Sequence, residues 1–245
     1  MGQPFTVEWE GELPASPQVV WEAFTRHTAG WYWEIEYEPW AGGAERGLTR
    51  GGGTVSVWEP PRRFTTRAEL GDGEVNELDY RLRPARTGTV LSFTHRGVIT
   101  GDYDKELDSC RQHTTFYYHS LGEYLRHFGG RDAVYFTADA PEASASGGFA
   151  KARRALGVSD RVEVGDEVRL TPAGLKPIEG VVDYATPVFL GVRSADALYR
   201  FYGRDAWGWP VGVAHHLFAG DADAAAARQG WGAWLEEVFT SEEQV

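Results

Sequence analysis

Apolar and polar residues alternate at the start of the chain, with Phe5, Val7, Trp9 and Leu13 on one side and Thr6, Glu8, Glu10 and Glu12 on the other. A period of two belongs to a strand with one dry and one wet face, so the fold opens with a strand. Pro14 to Pro17 breaks it, and Ser16 followed by Pro17 predicts a helix start, because proline presets the backbone angle where no amide donor is needed. VVWEAFTRH continues that helix. From residue 34 to residue 97 come the strand-like runs IEYEPW, TVSVWE, RFTTRAEL, VNELDYRLR and TVLSFTHRGV. Gly42 with Gly43, Gly51 to Gly53, Pro60 with Pro61, Gly71 to Gly73 and Thr87 with Gly88 separate them. Connections this short leave no room for crossover helices and predict an antiparallel meander.

The period then changes. Leu107, Cys110, Thr114, Tyr117, Leu121, Leu125 and Phe128 recur every three or four residues, while Asp108, Arg111, Thr115, Glu123 and Arg126 fall elsewhere. This predicts a long amphipathic helix from Asp104 to Phe128, ended by Gly129 and Gly130. The order strand, helix, meander, long helix returns in shortened form. VYFTAD reads as a strand and FAKARRAL as a helix; EVRLTP, GVVDY, PVFLGVR, LYRFYGR and VGVAHHLF read as strands. ADAAAARQGWGAWLEEVF closes as a helix with Ala227, Trp231, Trp234, Leu235 and Val238 on one side. The expected division is a module over 1–130 and a second, compact module over 131–245.

The 245 residues are enough for two small cores. The formal net charge of -12 is spread along the chain, which disfavours nucleic acid and anionic bilayers as partners. MGQPFTVEWEGEL lacks a basic segment followed by an apolar run, and no stretch is apolar enough to span a bilayer, so a cytoplasmic location is expected. The abundance of arginine over lysine, together with abundant alanine, hints at a GC-rich bacterial genome. Cys110 is the single cysteine, so neither an intrachain disulfide nor a cysteine-based zinc site is expected.

Four stretches in order carry a family resemblance. ELPASPQVVWEAFT, GGGTVSVWEPPRRF, TGTVLSFTHRGV and HSLGEYLRHF resemble the opening, the glycine-led strand with its PP-x-R-[LF] turn, the GT-x-[LV]-x-[LF]-x-H-x-G strand and the terminal helix of one SRPBCC branch. That branch comprises the homologues of the activator of heat-shock protein 90 ATPase, within the START/polyketide-cyclase-like superfamily. The resemblance implies an α+β helix-grip (START-like) fold, a curved antiparallel sheet wrapped around a long C-terminal helix with a cavity between them. Its members include ligand carriers, cyclases and chaperone co-activators, so the fold alone selects no function. The sequence departs from the branch at Thr115 to Tyr118, where a Gly-Trp pair is common, and in its second half, which keeps only the order of elements and the last helix.

Aromatic side chains are the main candidate chemistry: Trp31, Tyr32, Trp33, Tyr37, Trp40, Trp58, Phe93, Tyr117 and Tyr118. Tryptophan and tyrosine combine broad apolar faces with a donor that needs a partner, which suits a pocket that excludes water and orients a ligand. His95 shares a strand face with Leu91 and Phe93 and points inward if that face is concave. Cys110, Thr114 and Leu121 complete the expected ligand-binding set from the helix. His119, Glu123 and His127 form a stripe at helical spacing that reads as a solvated face rather than a metal site, and the adjacent His215 and His216 point to opposite faces of a strand. Gly51 to Gly53 lacks a following helix and a GK[ST] ending, so it is not a phosphate loop. No catalytic motif, metal or cofactor is expected.

These readings favour binding of a small hydrophobic or aromatic molecule between sheet and helix. The alternatives are a cyclase or hydrolase using His95 with Tyr117 or Tyr118, and a chaperone co-activator or interaction module. A chaperone or a second copy of the chain would be the partner in that last case.

Overall fold

The opening alternation becomes β1, Gln3–Leu13, in the computed structural model, which describes residues 2–71 and 74–240. Ser16 caps the next element, accepting from the Val19 amide, and α1 runs Pro17–Thr25. The meander follows as β2 (Glu36–Tyr37), β3 (Ala44–Arg46), β4 (Gly53–Glu59), β5 (Arg63–Gly71), β6 (Glu74–Pro84) and β7 (Thr89–Ile99). The long helix α2 spans Tyr103–His127, capped by Asp102 and carrying Asp104 and Glu106 in its first turn, where the helix field favours anions. It begins one residue before the expected start, because Asp102 supplies the cap.

The run IEYEPW is a strand only at Glu36–Tyr37, and β3 was not foreseen. Both departures have one cause. The Glu38 carboxylate accepts from the Ala44 amide at 2.9 Å, and buried Glu45 accepts from Leu48 and Thr49 amides at 2.7 and 3.1 Å, so side chains hold a tight loop that strand periodicity does not report.

All seven strands form one antiparallel sheet in the order β1-β7-β6-β5-β4-β3-β2, so the first strand lies beside the last long one. Register then stacks rings across the sheet: Trp9 lies opposite Phe93, Phe93 opposite Tyr80, Tyr80 opposite Phe64 and Phe64 opposite Trp58. Directly opposite residues share a face, so these rings form one aromatic rung beneath the helices. Phe64 and Tyr80 stack at 4.2 Å, and Phe24 of α1 meets Trp31, Phe64, Tyr80 and Tyr118 from above. The resulting unit, Met1–Asp132, is an α+β helix-grip fold.

The second unit, Ala133–Val245, contains β8 (Val134–Asp139), α3 (Gly148–Ala155), β9 (Glu167–Leu170), β10 (Ile178–Ala185), β11 (Phe189–Arg193), β12 (Ala197–Tyr202), β13 (Gly212–Leu217) and α4 (Ala224–Thr240). Its antiparallel order, β8-β13-β12-β11-β10-β9, again places the first strand beside the last. Trp231, Trp234 and Leu235 of α4 enter a core with Phe136, Val182, Leu190 and Phe201, and Ala227 and Val238 pack at its margin. An Arg200–Asp183 pair at 2.9 Å is buried in this unit. His215 and His216 are both buried, so β13 is covered on each face.

Truncating the ring that bridges α1 to the rung tests this packing. Phe24→Ala is expected to destabilise unit 1 by about 3–5 kcal/mol in urea denaturation; a change below about 1 kcal/mol would mean that Phe24 is not a core contact.

Candidate functional site

One register step from the aromatic rung the inner face of the sheet thins out. Val7 lies opposite His95, His95 opposite Leu78, and Leu78 opposite Thr66. Beyond His95 comes Gly97, where a Cβ would sit 2.7 Å from the Phe5 ring and 3.3 Å from Asn76 Oδ1. Only glycine admits both neighbours. Above this stretch α2 presents Cys110 and Thr114, and the C-terminal half of the same helix presents the larger Leu121, Tyr124 and Leu125. Small residues on both sides leave a cavity of about 200 Å³.

Trp31, Trp33, Phe93, His95, Cys110, Thr114, Tyr117 and Tyr118 all line this cavity. Trp58 and Leu121 do not. Trp58 is the far end of the rung, packed on Trp21 at 4.9 Å, and Leu121 is fully buried in the part of α2 where larger residues close the gap. Trp40 lies outside as well, exposed at the surface. Tyr32, Leu48, Asn76, Leu78, Tyr80 and His113 also line the cavity. Of these, Tyr80, Leu78 and Asn76 could be found only from strand register, because VNELDYRLR alone does not say which alternate side chains face the helix.

The His95 imidazole joins the sheet to α2. Its Nε2 lies 2.7 Å from Asn76 Oδ1 and its Nδ1 lies 3.5 Å from Cys110 Sγ. The amide oxygen can only accept, so Nε2 carries the proton and Nδ1 accepts from the thiol. Burial holds the ring neutral, pushing its pKa down to about 4. The thiol is held protonated in the same way: burial pushes Cys110 up to about 11, against weaker lowering by Thr114 and Arg111. A neutral imidazole beside a protonated thiol is a hydrogen-bonded strut, not a nucleophile and base.

Two phenols face the same space. Tyr80 and Tyr118 are only 4% and 5% exposed, both line the cavity, and neither hydroxyl has a hydrogen-bond partner among the described residues. Burial raises both pKa values, so each remains a neutral donor. Among the described residues lining the cavity there is no carboxylate, and no cluster of metal-ligating side chains occurs among the described residues.

Of the stripe on α2, His127 is exposed as expected for a solvated face and His119 is half-buried, but Glu123 is not solvated. Glu123 is buried, pairing with Arg126 at 2.8 Å and His127 at 3.5 Å, so it is a structural ion-pair centre. Gly51 and Gly52 adopt positive φ in a turn that leads into strand β4. No helix among the described residues is long and apolar enough to cross a membrane.

Comparisons with known proteins cover about half of the chain. A family model described as activator of Hsp90 ATPase homolog 1-like protein matches residues 14–126. Among solved structures, protein MLL2253 from Mesorhizobium loti is 18% identical, covers 51% of this chain and 98% of its own, and has a TM-score of 0.42. CalU16 from Micromonospora echinospora is 21% identical over 51% of this chain and 76% of its own, with a TM-score of 0.40. A Rhodobacter sphaeroides protein is 22% identical over 52% of this chain and 99% of its own, with a TM-score of 0.41. No curated protein matches.

Two measurements check the electrostatics. An imidazole with its pKa lowered on folding binds its proton more readily in the unfolded chain. His95 therefore destabilises the fold as pH falls from about 6.5 towards about 4, and contributes nothing to the pH dependence above that window. The His95 resonances should titrate near pH 4 in folded protein, and a midpoint above 6 would overturn the buried, neutral assignment. At neutral pH the Cys110 thiolate fraction should be roughly a hundredfold below that of an ordinary thiol, so DTNB should react correspondingly slowly until the protein is unfolded.

Proposed function

We propose that the first unit, which belongs over residues 14–126 to the activator of Hsp90 ATPase homolog 1-like family of the SRPBCC superfamily, binds a small aromatic molecule in the cavity between its sheet and α2, in a non-catalytic role. The observation that carries this reading is the pair of largely buried tyrosines, Tyr80 and Tyr118, on the cavity wall, whose hydroxyls have no hydrogen-bond partner among the described residues and are not sealed from the open space. Donors that face an open, mostly apolar space and have no protein partner are free to hydrogen-bond a ligand oxygen, which fixes its orientation.

Size limits the class of ligand. A cavity of about 150 Å³ accepts benzene, so about 200 Å³ suits a single ring with a short oxygen-bearing substituent. The walls are rings and aliphatic carbons with His95, Asn76 and His113 at intervals, and among the described residues that line them there is no carboxylate, lysine or arginine. A neutral phenol or aryl ketone fits that lining better than a carboxylate.

The enzyme reading has less support. His95 shares its Nε2 proton with Asn76 and its Nδ1 lone pair with Cys110, which leaves neither nitrogen for proton transfer, and no carboxylate among the described residues lines the cavity to orient it.

Thermal unfolding with para-cresol and acetophenone at millimolar concentration tests the proposal. The melting temperature of unit 1 is expected to rise with ligand concentration, and Thr114→Phe, which fills the cavity from α2, is expected to abolish the rise while the variant stays folded. No shift with either compound in the parent chain, or an equal shift in the variant, would sink it.

A further inference from the structure

The second unit holds an opening of its own, of about 730 Å³, between the first half of α4, the turn from Ser194 to Ala197 and the segment leading into β10. Its origin is legible in the helix sequence. Ala224 to Ala227 bring only methyl groups to the first turns of α4, and the next bulky apolar residue is Trp231. Ala222, Ala226 and Ala227 therefore form one wall, Leu175 and Ile178 another, and Tyr199 and Trp231 lie at the base with ring centroids 6.3 Å apart.

The polar atoms in this opening point to a ligand. Trp231 is 4% exposed, yet its indole N–H has no hydrogen-bond partner among the described residues and is not among the atoms sealed from solvent. The Tyr199 hydroxyl likewise has no partner among the described residues, and burial raises its pKa to about 12, so it stays a donor at neutral pH. Two donors thus face one apolar space. The charges at the margin set the sign of the ligand. Glu179 is paired with Arg169 at 2.8 Å, which leaves Lys176 and Asp196 as opposite charges that offset one another. Donors without surplus positive charge recognise a neutral oxygen acceptor rather than an anion.

We infer that the second unit carries a separate binding site for a neutral apolar carbonyl compound, such as an aryl ketone, ester or lactone larger than a single ring, with its oxygen held by Trp231 and Tyr199. Its volume lies in the range of small-molecule pockets, whereas the cavity of unit 1 is smaller than that range. The site does not depend on the reading of unit 1.

Prodan, a neutral aryl ketone whose emission moves to the blue in apolar surroundings, is the probe. Titrated with the full chain, it is expected to bind saturably with a blue shift. Ala227→Phe should remove that response, and Tyr199→Phe, which keeps the ring and deletes one donor, should weaken binding about threefold to tenfold. Thr114→Phe in unit 1 should leave the Prodan titration unchanged, which separates this site from the first. Absence of saturable binding to the parent chain overturns the inference. So does an unaltered titration in Tyr199→Phe, or loss of binding in Thr114→Phe alone.

Discussion

The rung of rings that crosses the first sheet, Trp9, Phe93, Tyr80, Phe64 and Trp58, is the constraint on which unit 1 depends. Five large side chains on one face of neighbouring strands cannot be left to water, and they are too wide to be covered by a single helix. Phe24 of α1 and Tyr118 of α2 each reach down to the rung, so both helices are fixed in place by the same row of contacts. A change of register by one residue would send all five rings to the outer face, which is why this sheet has one pairing and not several.

The candidate site is a consequence of how that rung ends. Helix α2 is held at a height set by aromatic rings. Where it passes over Leu78 and Gly97, the residues beneath it leave a gap, and the helix answers with cysteine and threonine rather than with leucine. Close packing would remove such a gap if nothing opposed it. Here the His95 strut opposes it, bonded to Asn76 on the sheet side and to Cys110 on the helix side. Burial keeps both the imidazole and the thiol uncharged, and this makes the strut compatible with an apolar chamber.

Unit 2 reaches the same strand order by a different filling. Its first strand also pairs with its last, and its closing helix also lies over the sheet core, but alanines replace large residues at the start of that helix and two tryptophans close its far half. Its interior holds a charged pair, Arg200 with Asp183, both side chains withdrawn from solvent. Removing one partner of such a pair leaves the other charge buried and uncompensated, so both must be present together across β10 and β12.

Much of this was legible in the chain itself. The period of two at Phe5 to Leu13, the glycine and proline punctuation between residues 42 and 88, and the helical recurrence from Leu107 to Phe128 determined strand, meander and helix, because side-chain direction in each element follows from local geometry. His95, Cys110 and Tyr117 could be placed on inward faces for the same reason. Tertiary structure alone decided that Trp58 belongs to the rung and not to the cavity, that Tyr80 and Asn76 face it, and that Glu123 is buried in an ion pair. Each of those depends on which residue of a distant strand or turn lies opposite. Periodicity fixes where a side chain points, but only the pairing of strands and the seating of helices fix what it meets.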